Sequence, residues 1–275
     1  MTRRGRWRIW SVTLVQIAAV LTLLAPIVWL YVASFRTNLD IESGAIIPDS
    51  FSLDNFGHLF AQPIMLSALR NSVAVATCAA IVTTTFALLA AYSVTHFRFR
   101  GASSISGVLL VAQVIPTIVV IVPLVVIFRF AGLQDSLVGL MVAHLELALP
   151  VSFWLLRGYV RSVPRDIEDA ATVDGCTRMS LLRYVIIPLA WPGIIAVGSF
   201  AFILSWGEYL VALSLITTEN TKTLPLAMST LFELHGLDIG MVSAAGVVIS
   251  LPVALIFMVI QRQLVAGLTT GAVKG

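Results

Sequence analysis

Charged residues are scarce in this chain. Of its 275 residues, 11% are Asp, Glu, Lys or Arg, whereas 59% are hydrophobic. A soluble domain usually carries about 25% charged residues, so the main solvent of this chain is expected to be lipid. The mean hydropathy of +0.98 supports the same expectation. Membrane spans and short loops use up the length, which leaves no room for a sizeable soluble domain.

Several chemical signatures are also missing. The two cysteines, Cys78 in an apolar run and Cys176 in a charged loop, form no disulfide or metal-binding pattern. The sequence has no GxxxxGK[ST] loop that could cradle ATP, and no nucleophile–base–acid set stands out. No basic stripe interleaved with aromatic residues points to nucleic acid. We therefore expect no catalytic site, no metal and no cofactor bound by this chain.

What the sequence does contain is a series of long runs without a charged side chain. Each exceeds the roughly 20 residues that a helix needs to cross a bilayer. Within hydrocarbon, backbone polar groups must be satisfied inside the segment, which favours helices. The runs lie between Arg8 and Arg36 and over 71–97, 101–128, 184–207 and 239–261; a sixth, about 137–156, contains Glu146. The prediction is an all-α membrane protein with six transmembrane helices, forming a single domain over 1–275.

The basic residues predict the orientation, because cytoplasmic loops are enriched in Lys and Arg. With the N-terminus inside and six crossings, 13 of the 17 basic residues face the cytoplasm. The first outer loop, about 37–65, instead carries Asp40, Glu42, Asp49 and Asp54. Both termini are therefore predicted to be cytoplasmic.

The predicted cytoplasmic loop over about 158–191 has helical patterns of its own. Pro164 suits a first helical position, acidic residues follow in the first turns, and Gly175 suits the C-terminal stop. Residues at i, i+3, i+4 and i+7 share one face of this helix. They are Ile167, Ala170, Ala171 and Asp174. The small alanines would let another surface approach closely.

A second amphipathic stretch follows over 177–187. Its apolar side is formed by Leu181, Leu182, Val185 and Ile186. Pro188 and Pro192 are expected to break this helix before the next span. Periodicity alone leaves two interpretations of the whole loop: a solvated loop with an interfacial helix, or a short helix that docks into a cytoplasmic partner and transmits motion.

A resemblance favours the second interpretation. The run IEDAATVDG at 167–175, followed by IPL at 187–189 and PG at 192–193, resembles the "EAA" loop of bacterial ABC importer permeases. Two positions depart from that pattern: Asp169 stands in place of the usual Glu, and Cys176 in place of a small Ala. The segment SWGEY at 205–209 resembles a Trp-Asn-Asp/Glu-aromatic segment, with Gly207 replacing Asn.

In that family the loop helix docks in a cleft of the ATP-hydrolysing subunit. The resemblance assigns this coupling role to six residues: Glu168, Asp169, Ala170, Ala171, Asp174 and Gly175. It implies four partners: a nucleotide-binding ATPase dimer that holds ATP and Mg, a second and different permease, an extracytoplasmic solute-binding protein, and the lipid bilayer. The expected location is the bacterial inner membrane.

The C-terminal tail is the main reason to specify a carbohydrate as the cargo. Residues 261–275, QRQLVAGLTTGAVKG, are similar to the tail of the smaller permease of maltose-type systems. In such systems the tail can reach between the two ATPase subunits. The residues that this similarity assigns to the contact are Gln261, Gly267, Thr269 and Gly271. The alternative for this segment is a frayed polar terminus.

Four polar or aromatic residues are candidates for the solute path: Gln113, Glu146, Trp206 and Glu208. Ionisable groups cost roughly 2.5–3.5 kcal/mol at mid-membrane on insertion scales, so they usually face a bundle interior or water. Pro116 and Pro123 would weaken the third span locally and free carbonyl groups. The alternative role is hydrogen bonding between helices, typically about 0.6 kcal/mol. We interpret His144 as a packing or hydrogen-bonding residue.

Two other functional classes remain open at this point. One is a self-sufficient secondary transporter or channel, and the other is a membrane scaffold that transports nothing. The sequence shows no internal repeat, which secondary transporters often have.

Overall fold

A computed structural model describes residues 3–37, 51–97, 99–235 and 238–272 of the chain, and the side chains of 12–37, 51–97, 99–232 and 238–261. Within those ranges all regular secondary structure is helical, as predicted. In chain order the helices are α1 Arg3–Ser34, α2 Asp54–Ala61, α3 Pro63–His96, α4 Ala102–Val114, α5 Thr117–Phe130, α6 Leu137–Arg161, α7 Arg165–Val173, α8 Arg178–Leu181, α9 Ile187–Trp206, α10 Leu210–Leu215, α11 Leu224–His235 and α12 Ile239–Ala272.

The described helices include enough membrane-length segments for the predicted spans. Five segments are long and apolar enough to cross a bilayer, and α4 with α5 makes a sixth if the pair counts as one span. In α1 the apolar side chains are largely exposed, with Leu14 64% and Leu23 73% accessible. Lipid is the solvent in which such a surface is favourable.

The predicted third span is not one continuous helix. Its two halves, α4 and α5, meet at an angle of 108°. Ile115 and Pro116 between them are extended, with ψ values of 123° and 131°. Proline has no N–H to donate and disfavours helical geometry in the preceding residue, which explains the break at Pro116. Pro123, by contrast, lies inside α5.

The predicted break at Pro188 and Pro192 is wrong. Residues Arg178–Trp206 form one continuous helical segment, in which a π-helical turn at Leu182–Ile186 joins α8 to α9. There the N–H of Ile187 bonds to the carbonyl of Leu182, five residues back. Proline clashes with the carbonyl four residues before it, here that of Tyr184. The wider π turn contains that carbonyl, so we attribute the continuity of the helix to it.

The chain forms two compact units. The first comprises Met1–Met65 and Met228–Leu251. In this unit the Asn55 side-chain amide donates to the carbonyls of Ser34 and Arg36, at 3.0 and 2.7 Å. The hydroxyls of Tyr31 and Ser250 are 2.9 Å apart. The end of α1 is thereby tied to both α2 and α12.

The second unit comprises Leu66–Ala227 and Pro252–Gly275. One of its apolar clusters lies where α3 and α6 meet the segment after α7, and it buries Phe153, Leu156, Leu181 and Ile186 completely or almost so. The apolar side predicted for 177–187 is thus confirmed, since Leu182 is also buried and Val185 packs against the same cluster. This cluster is the base on which α7 rests.

Candidate functional site

The short helix α7 forms where the sequence places a start signal and a stop signal. Pro164 is the residue before the first helical one, with ψ at 133°, rather than the first helical residue itself. Asp166 and Glu168 occupy the first turn, where the helix dipole favours acids. Gly175 ends the helix at a φ of +86°, a conformation that residues with a Cβ rarely adopt.

Two backbone bonds close the C-terminus of α7. Gly175 N–H donates to Thr172 O at 3.1 Å, and Cys176 N–H donates to Ala171 O at 3.0 Å. This pair of bonds is the Schellman arrangement, which needs a residue in the left-handed conformation. The glycine predicted as the helix stop therefore has a specific backbone role.

The residues of the predicted alanine face lie in two different environments: some are exposed, and Ala171 packs against the rest of the protein. Ala170 and Asp174 are exposed, and Ile167 is 43% accessible. Ala171 is half-buried and packs against the protein's own apolar cluster. Asp169 is also exposed, and Val173 is 87% accessible. The exposed surface of α7 is thus centred on Ala170 and Val173, while Ala171 packs α7 against the membrane domain.

Glu168 faces inward with Ala171. One of its carboxylate oxygens lies 2.9 Å from Nε2 of His96, the last residue of α3. The two side chains are 16% and 6% exposed, respectively. A polar cavity of about 380 Å³ adjoins the pair and is lined by Thr95, Arg161 and Arg165 among others. Sequence reasoning did not find His96; its position at the end of a span, before a basic turn, was the available signal.

The four candidate solute-path residues occupy different environments. Gln113 is exposed at the end of α4, next to the break at Pro116. Glu146 is half-buried in the middle of α6. Trp206 is 1% exposed and stacks on Phe202, with ring centroids 5.8 Å apart. In this state Trp206 is therefore a packing residue.

Glu208 has a defined structural partner. Its two carboxylate oxygens accept from the N–H groups of Val211 and Ala212, at 2.8 and 3.1 Å, and so cap the first turn of α10. A carboxylate is well suited to a helix N-terminus. One of its oxygens is also 3.6 Å from Nε2 of His144.

His144 is buried, and its Nδ1 lies 2.5 Å from the Ser205 hydroxyl oxygen. The residue thus links α6 to the end of α9, as expected for a hydrogen-bonding role.

The N-terminal end of α6 is held by Asp135, which sequence reasoning missed. Its carboxylate accepts hydrogen bonds from the N–H groups of Thr217 and Thr218, and from the hydroxyls of Thr218 and Thr221. The Thr218 hydroxyl and then the Thr218 and Thr217 amides hold the pKa of Asp135 well below its usual range. Asp135 itself adopts a φ of +55°. The signal in the sequence was a short Gly-Leu-Gln-Asp-Ser turn.

The segment 217–224 is fastened at a further place. The Asn71 side-chain amide donates to the carbonyls of Asn220 and Lys222, at 2.8 and 3.0 Å. The Leu224 N–H donates to the Ser72 hydroxyl at 2.7 Å. We call this segment, with Asp135, Asn71 and Ser72, the loop clasp.

The tail candidates lie at the edge of what the structure describes. Gln261 donates to its own helix at Met258 O, 3.1 Å away. The backbone of α12 continues helically through Gly267, Thr269 and Gly271 to Ala272, while the side chains beyond Gln261 and residues 273–275 lie outside the described residues. Among the described residues, no group of three or more His, Cys, Asp or Glu side chains is placed to hold a metal ion.

Comparisons with known proteins identify the family. The profile described as "Binding-protein-dependent transport system inner membrane component" matches residues 83–270. The trehalose transport system permease protein SugB of Mycobacterium tuberculosis is 33% identical over 254 residues, which cover 92% of this chain and 93% of that protein. The diacetylchitobiose uptake system permease protein DasC of Streptomyces coelicolor is 30% identical over 270 residues and 98% of both chains.

A solved structure shares the fold. It is a chain of a bacterial ABC transporter involved in the import of the acidic polysaccharide alginate, with a TM-score of 0.83 at 20% identity, covering 95% of this chain and 98% of that one. At this identity the likeness concerns fold alone, which is that of an ABC transporter membrane subunit. Together with the matched profile and the two relatives, it shows that this chain belongs to the family of binding-protein-dependent transport system inner membrane components.

Proposed function

We propose that this chain is the permease subunit of an ATP-driven importer and forms half of the path for a carbohydrate delivered by an external solute-binding protein. The observation that carries the proposal is near full-length similarity to permeases named for trehalose and for diacetylchitobiose uptake. Both solutes are disaccharides or their derivatives. A small, hydroxyl-rich disaccharide is accordingly the first class to test.

Family membership makes the chain a transport component and not itself catalytic. Hydrolysis therefore belongs to a separate nucleotide-binding ATPase dimer, which would hold ATP and Mg. The exposed part of α7 is the docking element in this proposal. Ala170 and Val173 offer a small apolar contact, and Asp166 and Asp169 flank it with negative charge.

In the proposed orientation both termini face the cytoplasm. The support is the charge asymmetry, with 13 of 17 basic residues on that side. Since α6 runs from Leu137 to Arg161 as a single helix, the loop clasp and α7 lie at its opposite ends. The loop clasp then faces outward, where a solute-binding protein would dock, and α7 faces the ATPase.

Support for the solute path differs among the four candidates. Glu146 is half-buried in a membrane helix, and Gln113 is exposed beside the bend in the third span. These two can offer hydrogen bonds to a sugar. Trp206 packs against Phe202 and Glu208 caps α10, so we assign both residues a structural role rather than contact with the solute. A second, different permease would complete the path.

The tail proposal has support from the backbone alone. The last helix extends 11 residues past Gln261, from 262 to 272, beyond the stretch needed to span the bilayer. A helix protruding on the cytoplasmic side can reach the ATPase dimer. We assign this contact to Gln261, Gly267, Thr269 and Gly271, and deleting residues 267–275 should weaken co-purification with the ATPase.

The decisive experiment is reconstitution. The chain is co-expressed with the ATPase, second permease and solute-binding protein from neighbouring genes, and the complex is placed in liposomes. Uptake of labelled trehalose, maltose and diacetylchitobiose is measured with and without internal ATP, and with an ion gradient alone. We expect ATP-dependent uptake of one of these sugars. Uptake driven by the ion gradient with this chain alone would instead establish a secondary transporter, and absence of flux for every solute would favour a scaffold.

The role of α7 is tested by Ala170→Arg. A bulky cation on the docking face should leave the permease folded but cut solute uptake at least tenfold, with ATPase activity no longer stimulated by loaded binding protein. The matched control is Ala131→Arg, which adds the same charge at an exposed position directly after α5. Normal coupling in Ala170→Arg at normal expression would contradict the assignment of α7.

A further inference from the structure

The contact between His96 and Glu168 joins two elements with different roles. His96 is the last residue of the second span, and Glu168 lies on α7, 72 positions later in the sequence. Their side chains meet at 2.9 Å and are mostly shielded from solvent. Because this contact joins α7 to the end of the second span, movement of α7 away from the membrane domain would either stretch the contact or pull the end of that span with it.

The two contacts of the ring indicate which protons His96 needs in order to make both hydrogen bonds. Nδ1 of His96 is 3.2 Å from the carbonyl oxygen of Tyr92, and a carbonyl can only accept. A hydrogen bond at this position requires the proton on Nδ1. Nε2 faces the Glu168 carboxylate, which also only accepts when it is ionised. Both contacts are satisfied together when both ring nitrogens donate, which is the imidazolium form.

We propose that His96 is a positioning residue: its imidazolium form latches α7 to the end of the second span, so that displacement of α7 by the ATPase is transmitted to that span. This proposal rests on the proposed function of α7. It adds that transmission depends on protonation, because a neutral ring holding its Nδ1 proton turns an unprotonated Nε2 toward the carboxylate. The latch is strong at acidic pH and weakens as pH rises.

Charged groups near the latch come from three neighbouring helices. Arg161 of α6 and Arg165 of α7 line the adjoining cavity. Arg178 of α8 places its guanidinium over the Phe97 ring, and its carbonyl accepts from the Tyr92 hydroxyl. The three arginines oppose a positive ring, whereas Glu168 favours it. Histidine is the side chain that ordinarily changes charge between pH 5 and 8.

The first test reads the protonation of His96 directly. The full chain, labelled with ¹⁵N-histidine and placed in nanodiscs, is examined by NMR, and the His96 signals are assigned by their loss in His96→Gln. At pH 6 we expect both ring nitrogens to be protonated. On raising the pH, the Nε2 proton should be lost while Nδ1 keeps its own. A neutral ring with its proton on Nε2 at pH 6 would overturn the proposal, whether or not the chain couples to an ATPase.

The second test reads transmission. In the reconstituted complex, labelled trehalose imported per ATP hydrolysed is measured at pH 6 and pH 8. In the wild type, we expect the amount of trehalose imported per ATP hydrolysed to fall by about fivefold from pH 6 to pH 8. This is the lower end of typical coupling between sites. His58→Gln is the matched control, since His58 is exposed at the end of α2 and should follow the wild type.

Two variants separate the latch from a merely structural contact. In Glu168→Gln the side-chain amide can donate to an unprotonated Nε2, and in His96→Gln the amide can donate to the Glu168 carboxylate. Both contacts are independent of pH, so both variants should keep a constant ratio from pH 6 to pH 8. His96→Ala should show a low ratio throughout. A pH dependence that survives in Glu168→Gln, or a normal ratio in His96→Ala, would refute the latch while leaving the docking role of α7 intact.

Discussion

The two ends of α6 are held in different ways. At one end, the Asp135 carboxylate accepts hydrogen bonds from backbone and side-chain donors of the segment 217–224, and Asn71 and Ser72 fasten the same segment to α3. At the other end, α7 rests on the apolar contact of Ala171 and on the His96–Glu168 pair. The first attachment has many bonds, and the second depends on a small apolar contact and one titratable pair.

This difference suggests a division of labour. Many short bonds to one ionised acceptor resist displacement in every direction, which suits a fixed platform for a docking protein. A helix held by one alanine contact and one side-chain pair can move as a unit, and the pair carries that movement to the end of the second span. The comparison therefore predicts that changes at the loop clasp alter stability, whereas changes on the exposed side of α7 alter coupling.

The largest effect is expected from Ala171→Arg, which tests whether α7 is attached through this alanine. The larger, charged side chain must push α7 away from a filled apolar contact, and overpacking of this kind costs about 1–3 kcal/mol. We expect reduced yield of folded permease and an earlier thermal transition, measured on the purified chain in detergent. Ala170→Arg is the control at the neighbouring, exposed position. Equal stability of the two variants would contradict the attachment of α7 through Ala171.

Asp135→Ala should have the next largest effect. It leaves the donors of Thr217, Thr218 and Thr221 without their common acceptor. Because the carboxylate lies near solvent, water can replace part of the loss, and we expect a fall in the unfolding midpoint of about 2–4 °C, as for ~1 kcal/mol. The unfolding midpoint of Asp135→Asn, which keeps one acceptor oxygen, should lie between those of the wild type and Asp135→Ala. A midpoint unchanged in Asp135→Ala would remove the contrast between the ends of α6.

The pH dependence of that stabilisation sharpens the contrast. Hydrogen bonds lower the pKa of Asp135 in the folded chain. Its contribution is therefore fully present above the unfolded value, about 3.9, and is lost only as pH falls through the lower folded value. The difference in midpoint between wild type and Asp135→Asn should be constant from pH 5 to pH 8. A difference that shrinks across this range would show that another group titrates in the loop clasp.

The smallest effect on stability is expected from Val173→Ser. This side chain is 87% exposed, and surface substitutions usually stay within about 0.5 kcal/mol. The unfolding midpoint should therefore match the wild type. Co-purification with the ATPase should nevertheless decrease, because the substitution removes apolar contact from the docking face. Unchanged co-purification would move the docking surface away from Val173.

Features with local causes were predictable from the sequence. The hydrophobic runs identified the spans because the length of a helix in lipid is set by bilayer thickness. Gly175 and the acids of the first turn indicated where α7 lies, since helix ends depend on a few adjacent residues. Pro116 marked a weak point in the third span for the same reason. The 108° bend that results was not predictable, because neighbouring helices determine where the two halves turn.

Features made by residues far apart in the sequence were missed. Asp135 meets Thr218 across 83 positions and His96 meets Glu168 across 72. Nothing in one sequence states which helices are neighbours. The solute-path candidates show a related difficulty. Residue type made Trp206 a candidate for the solute path, yet its side chain is buried in the protein and stacks on Phe202.

The π turn at Leu182–Ile186 has a consequence for how this chain tolerates insertions and deletions. It holds one residue more than an α-helical turn would, and each residue of an α-helix advances the rotation by about 100°. Deleting a single residue there would restore the ordinary α-helical pitch. It would also rotate α8, together with α7, by about a quarter-turn around the axis of α9. The angular setting of α7 relative to the fifth span thus depends on a single extra residue.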